Sequence, residues 1–477
     1  MKKINLVVIP FAGVGHLVST IEFIKRLLSR DDRFSVTILV IKSPLEHSLD
    51  PNTSPPSLPS SHPHIQFINV RSLNPPPIEV FLKSPEKYFT LYIESYKLKV
   101  KEIIVDHVLP NSAPLGGLFL DMFSTSMVDV AQELGVPSYV FLTSGAGFLG
   151  FVLYLQTRHD RGGAEFELSD IESYIPSYVN PVPSRVLPSL AFNREGGYVS
   201  FVNVARNMKK TKGIIVNTVF ELESHAISSL LMDGATPPVY AVGPLIDHKG
   251  ESHFRTDQAK RDKIIKWLDD QPTKSVIFLC FGSFGSFGVP QLREIAIGLE
   301  QSGARFLWSI RQAKSIFEMP IECEKPEEFL PQGFLDRTKE LGMICGWTPQ
   351  IEVLAHRAIG GFVSHCGWNS ILESLWHGVP IITWPLYAEQ QINAFQIVKD
   401  LGLGVELRLD YRRDGGDVDV VMRDEIEKAV RFVMDGDSEV RQRVQEASEK
   451  CRKAVVEGGS SFSSIGSLIE AILANIS

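Results

Sequence analysis

The side chains with the clearest chemical potential lie between residues 347 and 390. An apolar run over residues 359–363 stops there at a Ser-His-Cys-Gly segment, and a helical pattern begins near Asn369, which predicts a strand, a tight turn and a helix N-terminus. The first backbone N–H groups of a helix lack intrahelical partners, and with the positive end of the helix dipole they attract anions. His365, Asn369 and Ser370 can add side-chain donors. The stretch therefore predicts a phosphate-binding site.

A carboxylate and an aromatic ring accompany this predicted phosphate site. Glu373 lies one turn after Asn369 on the same helix face, where it can accept two hydrogen bonds from the vicinal hydroxyls of a ribose. Trp347 offers a flat face to a base. Ser370 and Glu373 also have the spacing of a capping box, in which Glu373 would only satisfy backbone N–H groups. The helix cap therefore stays open as an alternative role for Glu373.

His16 and Asp121 are placed for acid–base chemistry. His16 follows the first predicted strand at the opening of a helix, and Asp121 follows the predicted strand over residues 115–120, so both lie at the edge where open α/β sheets bind ligands. A helix N-terminus disfavours imidazolium, so we expect His16 to be neutral and able to accept a proton. Asp121 would fix the tautomer and stabilise the imidazolium that forms. A structural histidine and a solvated loop aspartate are the alternatives.

A glycine-rich stretch over residues 282–288 follows a predicted strand and precedes a helix, so its backbone can approach a pyrophosphate closely. Its GxxGxxG spacing also resembles that of NAD-dependent epimerases and reductases. Two features argue against that class: the glycines lie far from the N-terminus, and none of the eleven tyrosines is followed by lysine four residues later. An NAD-dependent enzyme is kept as the alternative.

The combined motifs resemble the donor-binding signature of the plant family 1 UDP-sugar glycosyltransferases, which have the GT-B fold. The motifs are Trp-x-Pro-Gln from Trp347, His-Cys-Gly-Trp-Asn-Ser from His365, Glu373, and the closing pair Glu389-Gln390. The resemblance spans nearly the whole chain. It implies inverting transfer of glucose from UDP-glucose to a hydroxyl of a small lipophilic acceptor, a flavonoid, another phenolic or a terpenoid. A non-catalytic UDP-sugar-binding module is the alternative if no base is present.

The resemblance also implies roles for individual residues, with His16 as the base, Asp121 as its partner, and no metal or other cofactor. The implied donor-binding residues are Thr143, Ser283, Trp347, Thr348, Gln350, His365, Gly367, Trp368, Asn369, Ser370, Glu373, Glu389 and Gln390. Within this set, Trp347 would face the uracil and Glu373 the ribose, and Gln390 would both donate to and accept from hexose hydroxyls. The acceptor cavity is expected to contain Phe123, Phe148 and Phe192, each of which would also suit an ordinary core.

Composition limits the other classes of function. The chain is 44% hydrophobic and 22% charged, which is typical of a globular protein. Its net charge of −8, without a basic run, argues against nucleic acid or an anionic membrane as a partner. Five scattered cysteines form no disulfide framework and favour the cytosol. Cys366 beside His365 has no second Cys or His at ligand spacing, so we exclude zinc. We expect a monomer.

The 477 residues suit two domains of similar size. We predict an acceptor-binding Rossmann-like domain over residues 1–246, a linker over 247–260, a UDP-sugar-binding Rossmann-like domain over 261–460, and a last helix within 461–477 that returns to the first domain, as the resemblance implies. The two domains would face each other across a cleft. The uncharged residues 134–157 are long enough to span a bilayer. We expect a strand, a turn and a core helix there instead, because proline and glycine divide the run.

Alternating patterns in each half predict two doubly wound parallel sheets. The predicted strands are 5–11, 34–41, 65–70, 115–120, 138–141, 213–217 and 239–242, then 275–281, 305–310, 343–345, 359–363, 380–383 and 404–406. In the first half, helices are expected up to about residue 30 and over 80–106, 125–134 and 145–158, with a loop-rich flap over 160–200.

Overall fold

A computed structural model describes residues 3–44, 63–110, 113–248, 250, 257–313, 320–323, 325–413, 419–436 and 438–476. The chain forms two compact units. The first contains residues 1–184, 189–246 and 452–477, and the second contains residues 185–188 and 247–451. Part of the predicted linker, at residues 249 and 251–256, lies outside the described residues, whereas residues 258–260 begin a helix.

Within its described residues, the first unit contains a seven-stranded parallel sheet and a separate two-stranded antiparallel ribbon. The strands are β1 (Ile4–Ile9), β2 (Phe34–Val40), β3 (Ile65–Asn69), β4 (Leu115–Asp121), β5 (Ser138–Leu142), β6 (Glu172–Ser173), β7 (Val182–Pro183), β8 (Ile214–Val216) and β9 (Val239–Ala241). The sheet order is β3-β2-β1-β4-β5-β8-β9, and β6 pairs with β7. The central strands are buried on both faces, which explains why the sequence shows them as continuous apolar runs.

Helices cover the first sheet. They are α1 (Val14–Arg30), α2 (Ile78–Lys83), α3 (Pro85–Glu94), α4 (Lys97–Ile103), α5 (Val128–Glu133), α6 (Ala146–Asp160), α7 (Gly197–Met208) and α8 (Ser224–Met232). The single helix predicted over 80–106 is wrong, because Ser84 and Pro85 interrupt it: the Ser84 hydroxyl accepts the Lys87 backbone N–H, and Pro85 opens the next helix. The predicted loop-rich segment 160–200 contains the β6–β7 ribbon and a 3₁₀ turn over Ser189–Phe192, and α7 begins near its end.

The second unit has a six-stranded parallel sheet within its described residues, in the order β14-β11-β10-β15-β16-β17, and a small ribbon of β12 and β13. The strands are β10 (Val276–Cys280), β11 (Arg305–Ser309), β12 (Arg311–Gln312), β13 (Ile321–Glu322), β14 (Gly342–Cys345), β15 (Ile359–Ser364), β16 (Ile381–Thr383) and β17 (Gly404–Glu406). The helices that begin in this unit are α9 (Gln258–Asp269), α10 (Val289–Ser302), α11 (Phe334–Thr338), α12 (Gln350–Ala355), α13 (Trp368–Trp376), α14 (Gln390–Phe395), α15 (Arg423–Met434) and α16 (Glu439–Ala454). The predicted fold class, two doubly wound parallel-sheet domains, is confirmed.

The last helix, α17 (Ser460–Ala474), belongs to the first unit. Its buried Ile465, Leu468 and Ile472 share an apolar cluster with residues of β1 and β2 such as Val8 and Phe34. The uncharged run over residues 134–157 divides into β5 and α6, as predicted. Across the described part of the chain, no helix combines the length and the apolar character that crossing a bilayer requires.

Candidate active site

His16 and Asp121 are in direct contact in the first unit. His16 lies in the first turn of α1 and Asp121 is the last residue of β4, which pairs in parallel with β1, so the carboxyl ends of the two strands bring the side chains together. His16 Nδ1 lies 2.6 Å from Asp121 Oδ2. The aspartate side chain is 1% exposed and the histidine side chain 22%. An ionised carboxylate only accepts hydrogen bonds, so Nδ1 carries the proton and Nε2 keeps its lone pair.

The second oxygen of Asp121 and a threonine complete this arrangement. Asp121 Oδ1 accepts the backbone N–H of Phe123 at 2.9 Å, which fixes the carboxylate. Thr143, which follows β5, places its hydroxyl 3.4 Å from His16 Nδ1. The three side chains therefore come from the ends of the neighbouring strands β4 and β5 and from the start of α1. The structure places Thr143, predicted as a donor-binding residue, beside the histidine.

Aromatic rings pack around His16. The ring of Phe11 lies 5.3 Å from the imidazole and that of Phe123 lies 5.9 Å from it, centroid to centroid. Phe89 on α3 contacts Phe11 at 5.0 Å, and Phe201 on α7 contacts Phe123 at 6.1 Å. Of these rings, the sequence predicted only Phe123. Phe11 is the last residue of the first predicted strand, a position that could have pointed to it, whereas nothing in the sequence distinguishes Phe89 or Phe201 from core residues.

The other two predicted acceptor residues lie further along the chain. Phe148, on α6, is fully buried, and its ring lies 6.4 Å from that of Phe201, centroid to centroid. It contacts the aromatic group around His16 through Phe201. Phe192 ends the Ser189–Phe192 turn and is half-buried. Phe148 therefore packs as a core residue in contact with this group.

In the second unit, the predicted strand, turn and helix are observed as β15, residues 365–367 and α13. The helix begins at Trp368, one residue before the predicted start, and Gly367 is its N-cap without any side-chain cap bond. Glycine has no side chain, so the N-cap residue supplies no acceptor to the backbone N–H groups of the first turn. Cys366 adopts a positive φ of 62°, which bends the chain sharply between strand and helix.

His365 is buried in this turn. Burial, and secondarily the positive charge of Arg311, lowers its pKa to about 3, so the imidazole is neutral across the physiological range. Among the described residues its Nδ1 has no hydrogen-bond partner. A Cβ atom on Gly282 would lie 2.3 Å from His365 Nε2, and one on Gly367 would lie 2.6 Å from it, so the ring fits only because both neighbours are glycine. A neutral imidazole held this tightly can donate one N–H to a phosphate oxygen.

Gln350, Ser370 and Glu373 form one hydrogen-bonded group. Gln350 Nε2 lies 2.8 Å from both Ser370 Oγ and Glu373 Oε2. Burial, opposed by the Gln350 hydrogen bond, raises the pKa of Glu373 to about 7. The capping-box alternative is wrong, since Ser370 and Glu373 lie inside α13 and its cap is Gly367. The Glu373 carboxyl is therefore available to a ligand.

The glycine-rich stretch forms a fixed turn after β10. Phe281 and Phe287 anchor it by packing against Trp384, with centroid distances of 5.6 and 5.2 Å. Arg413 donates to the Ser286 hydroxyl at 3.3 Å. Ser283 follows Gly282, whose φ is 71°. The turn is thus held from the aromatic side and from the polar side, with Ser283 at its start.

The remaining predicted donor residues lie at the ends of the strands of the same sheet. Trp347 and Thr348 follow β14, with Trp347 half-buried and the Thr348 hydroxyl without a described partner. Trp368 is buried and Asn369 half-buried in the first turn of α13. Together with His365, Ser370 and Glu373, these residues occupy the carboxyl ends of β14 and β15.

Gln390 differs from its expected role. Its Oε1 accepts the backbone N–H groups of Leu386 at 2.9 Å and Tyr387 at 3.1 Å, and its side chain is buried. Because both lone pairs of the amide oxygen are used, Gln390 can donate to a hexose hydroxyl but cannot also accept from one. The preceding Glu389 is the half-buried N-cap residue of α14.

No group of three or more His, Cys, Asp or Glu side chains suited to holding a metal ion occurs within the described residues. The five cysteines are free thiols, including buried Cys366 beside His365.

Comparisons with known proteins identify the relatives of this chain. A family model described as "UDP-glucoronosyl and UDP-glucosyl transferase" matches residues 227–440. UDP-glycosyltransferase 71K2 of Pyrus communis is 53% identical, over 99% of this chain and 98% of its own length. UDP-glucose flavonoid 3-O-glucosyltransferase 6 of Fragaria ananassa is 47% identical, over 99% of each chain.

Solved structures show the same likeness. Medicago truncatula UGT71G1 complexed with UDP-glucose has a TM-score of 0.88 and 48% identity, with 98% of each chain covered. Phytolacca americana UGT2 complexed with UDP-2fluoro-glucose and pterostilbene has a TM-score of 0.85 and 32% identity, covering 98% of this chain and 100% of the other. The likeness therefore extends over both units.

Proposed function

Since this chain belongs to the plant family 1 UDP-glycosyltransferases and has their GT-B fold, we propose that it transfers glucose from UDP-glucose to a hydroxyl of a small lipophilic acceptor, with inversion to a β-glucoside. The observation that carries the proposal is the 2.6 Å contact between His16 and Asp121, which leaves His16 Nε2 unprotonated beside a group of aromatic rings. This contact supports a general base rather than a binding module alone.

Family membership excludes one of the alternative functions that the sequence analysis left open. The glycine-rich stretch at 282–288 belongs to a UDP-glycosyltransferase, so an NAD-dependent epimerase or reductase is excluded.

The chemical step begins with the acceptor hydroxyl. Its proton passes to His16 Nε2 as the acceptor oxygen bonds to C1 of glucose, and the bond from C1 to the diphosphate oxygen breaks, so UDP leaves. The resulting imidazolium is stabilised by Asp121, which is fixed by the Phe123 backbone N–H. Thr143, 3.4 Å from His16 Nδ1, is assigned to the hydroxymethyl group of the transferred sugar.

The donor is assigned to the second unit. The first-turn N–H groups of α13, neutral His365, and the side chains of Asn369, Ser370 and Ser283 would bind the diphosphate. These donors stabilise the negative charge that grows on UDP as it leaves, so the proposed step requires no metal. Trp347 would stack on the uracil, and Gln350 and Glu373 would hold the ribose. Trp368, Glu389 and the amide N–H₂ of Gln390 would bind the hexose.

The acceptor is assigned to the aromatic group around His16. Flat phenols match rings such as Phe11, Phe89 and Phe123, and the Fragaria relative is named for flavonoids. Terpenoid alcohols are the second acceptor class to be tested. We assign the protein to the cytosol, which keeps thiols such as its five free cysteines reduced.

Incubating the purified full-length protein with UDP-glucose and a panel of phenolic and terpenoid aglycones tests the proposal. We expect hexosylated products by mass spectrometry and a β-anomeric signal by nuclear magnetic resonance. A preparation that binds UDP but forms no hexosylated product with any hydroxyl acceptor, or that forms the α-anomer, would contradict it.

A further inference from the structure

Arg311 is a buried cation at one end of the sheet in the second unit. It belongs to none of the motifs in the sequence. It is 4% exposed, its Nη1 donates to the Ser283 carbonyl at 3.0 Å, and its Nη2 donates to the Gly282 carbonyl. Its guanidinium carbon lies 4.3 Å from the centroid of the Trp347 ring. Among the described residues no carboxylate pairs with Arg311, and its Nε has no hydrogen-bond partner. The edge of the guanidinium therefore donates to the Gly282-Ser283 segment, and its face packs against Trp347.

The order of the strands explains how one side chain reaches both segments. β11 lies between β14 and β10 in the sheet. Arg311 follows β11, Trp347 follows β14, and Gly282 and Ser283 follow β10. Arg311 is therefore central among three neighbouring strand ends. The segment on one side is assigned to the base and the segment on the other to the diphosphate.

The geometry requires a guanidinium specifically. A planar, delocalised cation can stack on an indole and at the same time donate along its edge to two carbonyl oxygens. A lysine ammonium is a compact point charge on a flexible stem, and it has neither a plane to stack on the indole nor a fixed fork of donors for the two carbonyls. Removal of the guanidinium would leave the carbonyls of the half-buried Gly282 and Ser283 without this donor, and Trp347 without a rigid surface against its ring.

We propose that Arg311 is a positioning residue that couples the base-binding and diphosphate-binding halves of the donor site by holding Trp347 and the Gly282-Ser283 turn in one fixed arrangement. This inference rests on the proposed function. A nucleoside diphosphate contacts both halves of the donor site at once. Because Arg311 already fixes the two halves relative to each other, binding pays a smaller entropic cost for ordering them. Arg311 acts through Trp347 and the turn and is assigned no bond to the acceptor or to the reacting carbon.

The test compares Arg311→Met and Arg311→Lys with a matched control, Arg441→Met. Arg441 is also buried, donates to the carbonyls of Gly360 at 2.9 Å and Val433 at 2.7 Å, and has an unpartnered Nε. Gly360 lies near the amino end of β15, opposite the turn that contains His365. The control thus also removes the two hydrogen bonds that a buried arginine donates to backbone carbonyls, without touching the donor site.

Calorimetric titration with UDP should show an affinity loss on the order of tenfold or more for both Arg311 variants and an unchanged affinity for Arg441→Met, even where its melting temperature falls. The KM for UDP-glucose should rise in parallel, with little change in the KM for the acceptor. If Arg311→Met does not melt cooperatively, Arg311→Lys carries the test. If the lysine variant bound UDP like the wild type, charge alone would explain the role of Arg311 and the coupling would be overturned. UDP affinities that fell equally in all three variants would also overturn the coupling. Wild-type protein that does not bind UDP would instead refute the assigned donor site.

Discussion

Glu373 and His365 belong to the same strand, turn and helix, and burial moves their pKa values in opposite directions. It raises the pKa of Glu373 to about 7 and lowers that of His365 to about 3. Both shifts favour the neutral form, because desolvation disfavours charge of either sign. Neutral forms of these two groups are suited to an anionic nucleotide, and hydrogen-bond donors such as His365 need not be ionised.

Glu373→Gln should raise stability and weaken donor binding at the same time. The folded-state pKa of about 7 exceeds the ordinary value of 4.5, so the stabilising contribution of the carboxyl is complete below pH 4.5 and is lost as the pH rises through 7. The amide has no such loss, so the variant should gain roughly 1 to 3 kcal/mol over the wild type at pH 8 and much less at pH 5. Thermal melts at the two pH values measure this.

The affinity of the same variant for UDP should fall about tenfold at pH 8, because an amide presents one acceptor where the carboxylate presents two. A gain in melting temperature without any loss of UDP affinity would refute the ribose role of Glu373.

Gln390→Glu separates the two ends of the Gln390 amide. The carboxylate can still accept the Leu386 and Tyr387 N–H groups, but it can no longer donate. Because position 390 is buried and desolvation disfavours the carboxylate, we expect a melting temperature below that of the wild type. At a pH where the carboxylate is ionised, we expect unchanged affinity for UDP and a glucose-transfer rate reduced about tenfold. Steady-state kinetics beside UDP titration measure this, and an unchanged rate would show that the Gln390 N–H₂ makes no bond to the hexose.

At the scale of elements, α6 depends on a carboxylate distant in sequence. Glu223 is buried, and its two oxygens accept the backbone N–H groups of Ala146 and Gly147 at 2.8 Å each. These are the first two residues of α6, and its N-cap residue Gly145 has no side chain to serve them. Because Thr143 lies just before this helix start, Glu223 also helps to fix the chain beside His16.

Glu223→Ala should destabilise the protein by about 2 to 4 kcal/mol, since two buried N–H groups lose their acceptor. The melting temperature should fall by at least about 4 °C. Glu221→Ala is the matched control, because Glu221 is exposed and accepts one bond from the Ser460 hydroxyl. Equal melting temperatures for the two variants would contradict the capping role.

The sequence predicted the strands of the two parallel sheets within one or two residues, because both faces of a central parallel strand are buried and its apolar run is continuous. It did not predict the short ribbon strands β6, β7, β12 and β13. β15 and α13, with the turn between them, illustrate this. The break of the long helix near Ser84-Pro85 had a local signal, a serine cap followed by proline, that the apolar pattern obscured.

Contacts between distant segments had no such signal. The use of Arg311 and Glu223 depends on which strand ends become neighbours, and the occupied carbonyl of Gln390 depends on the conformation of residues 386 and 387. Motifs thus identified the residues assigned to ligands, whereas the residues that hold them required the tertiary structure.

At the scale of the whole molecule, an acidic chain with a net charge of −8 is assigned an anionic substrate. Long-range attraction therefore contributes little, and binding rests on local donors and the N-terminus of α13. Choice among UDP-sugars must likewise come from a few contacts in the second unit.

We expect UDP-glucose to be preferred over UDP-galactose and UDP-glucuronate. No lysine or arginine occurs in residues 384–391 to meet a carboxylate. The guanidinium carbon of Arg413 lies 5.4 Å from the centroid of the Tyr387 ring, but Arg413 Nη1 already donates to the Phe284 carbonyl and the Ser286 hydroxyl. Competition assays with equal concentrations of the three donors test this, and equal use of UDP-glucuronate would refute it.

His16→Ala, compared with the wild type for glucose transfer and for UDP binding, tests the central claim most directly. The substitution removes the proton acceptor from the first unit and leaves every residue of the second unit unchanged. We predict that transfer to an alcohol or phenol falls by about 10²- to 10⁴-fold, while calorimetry shows an unchanged affinity for UDP. Normal UDP affinity together with a transfer rate within a few-fold of the wild type would contradict the assignment of His16 as the base.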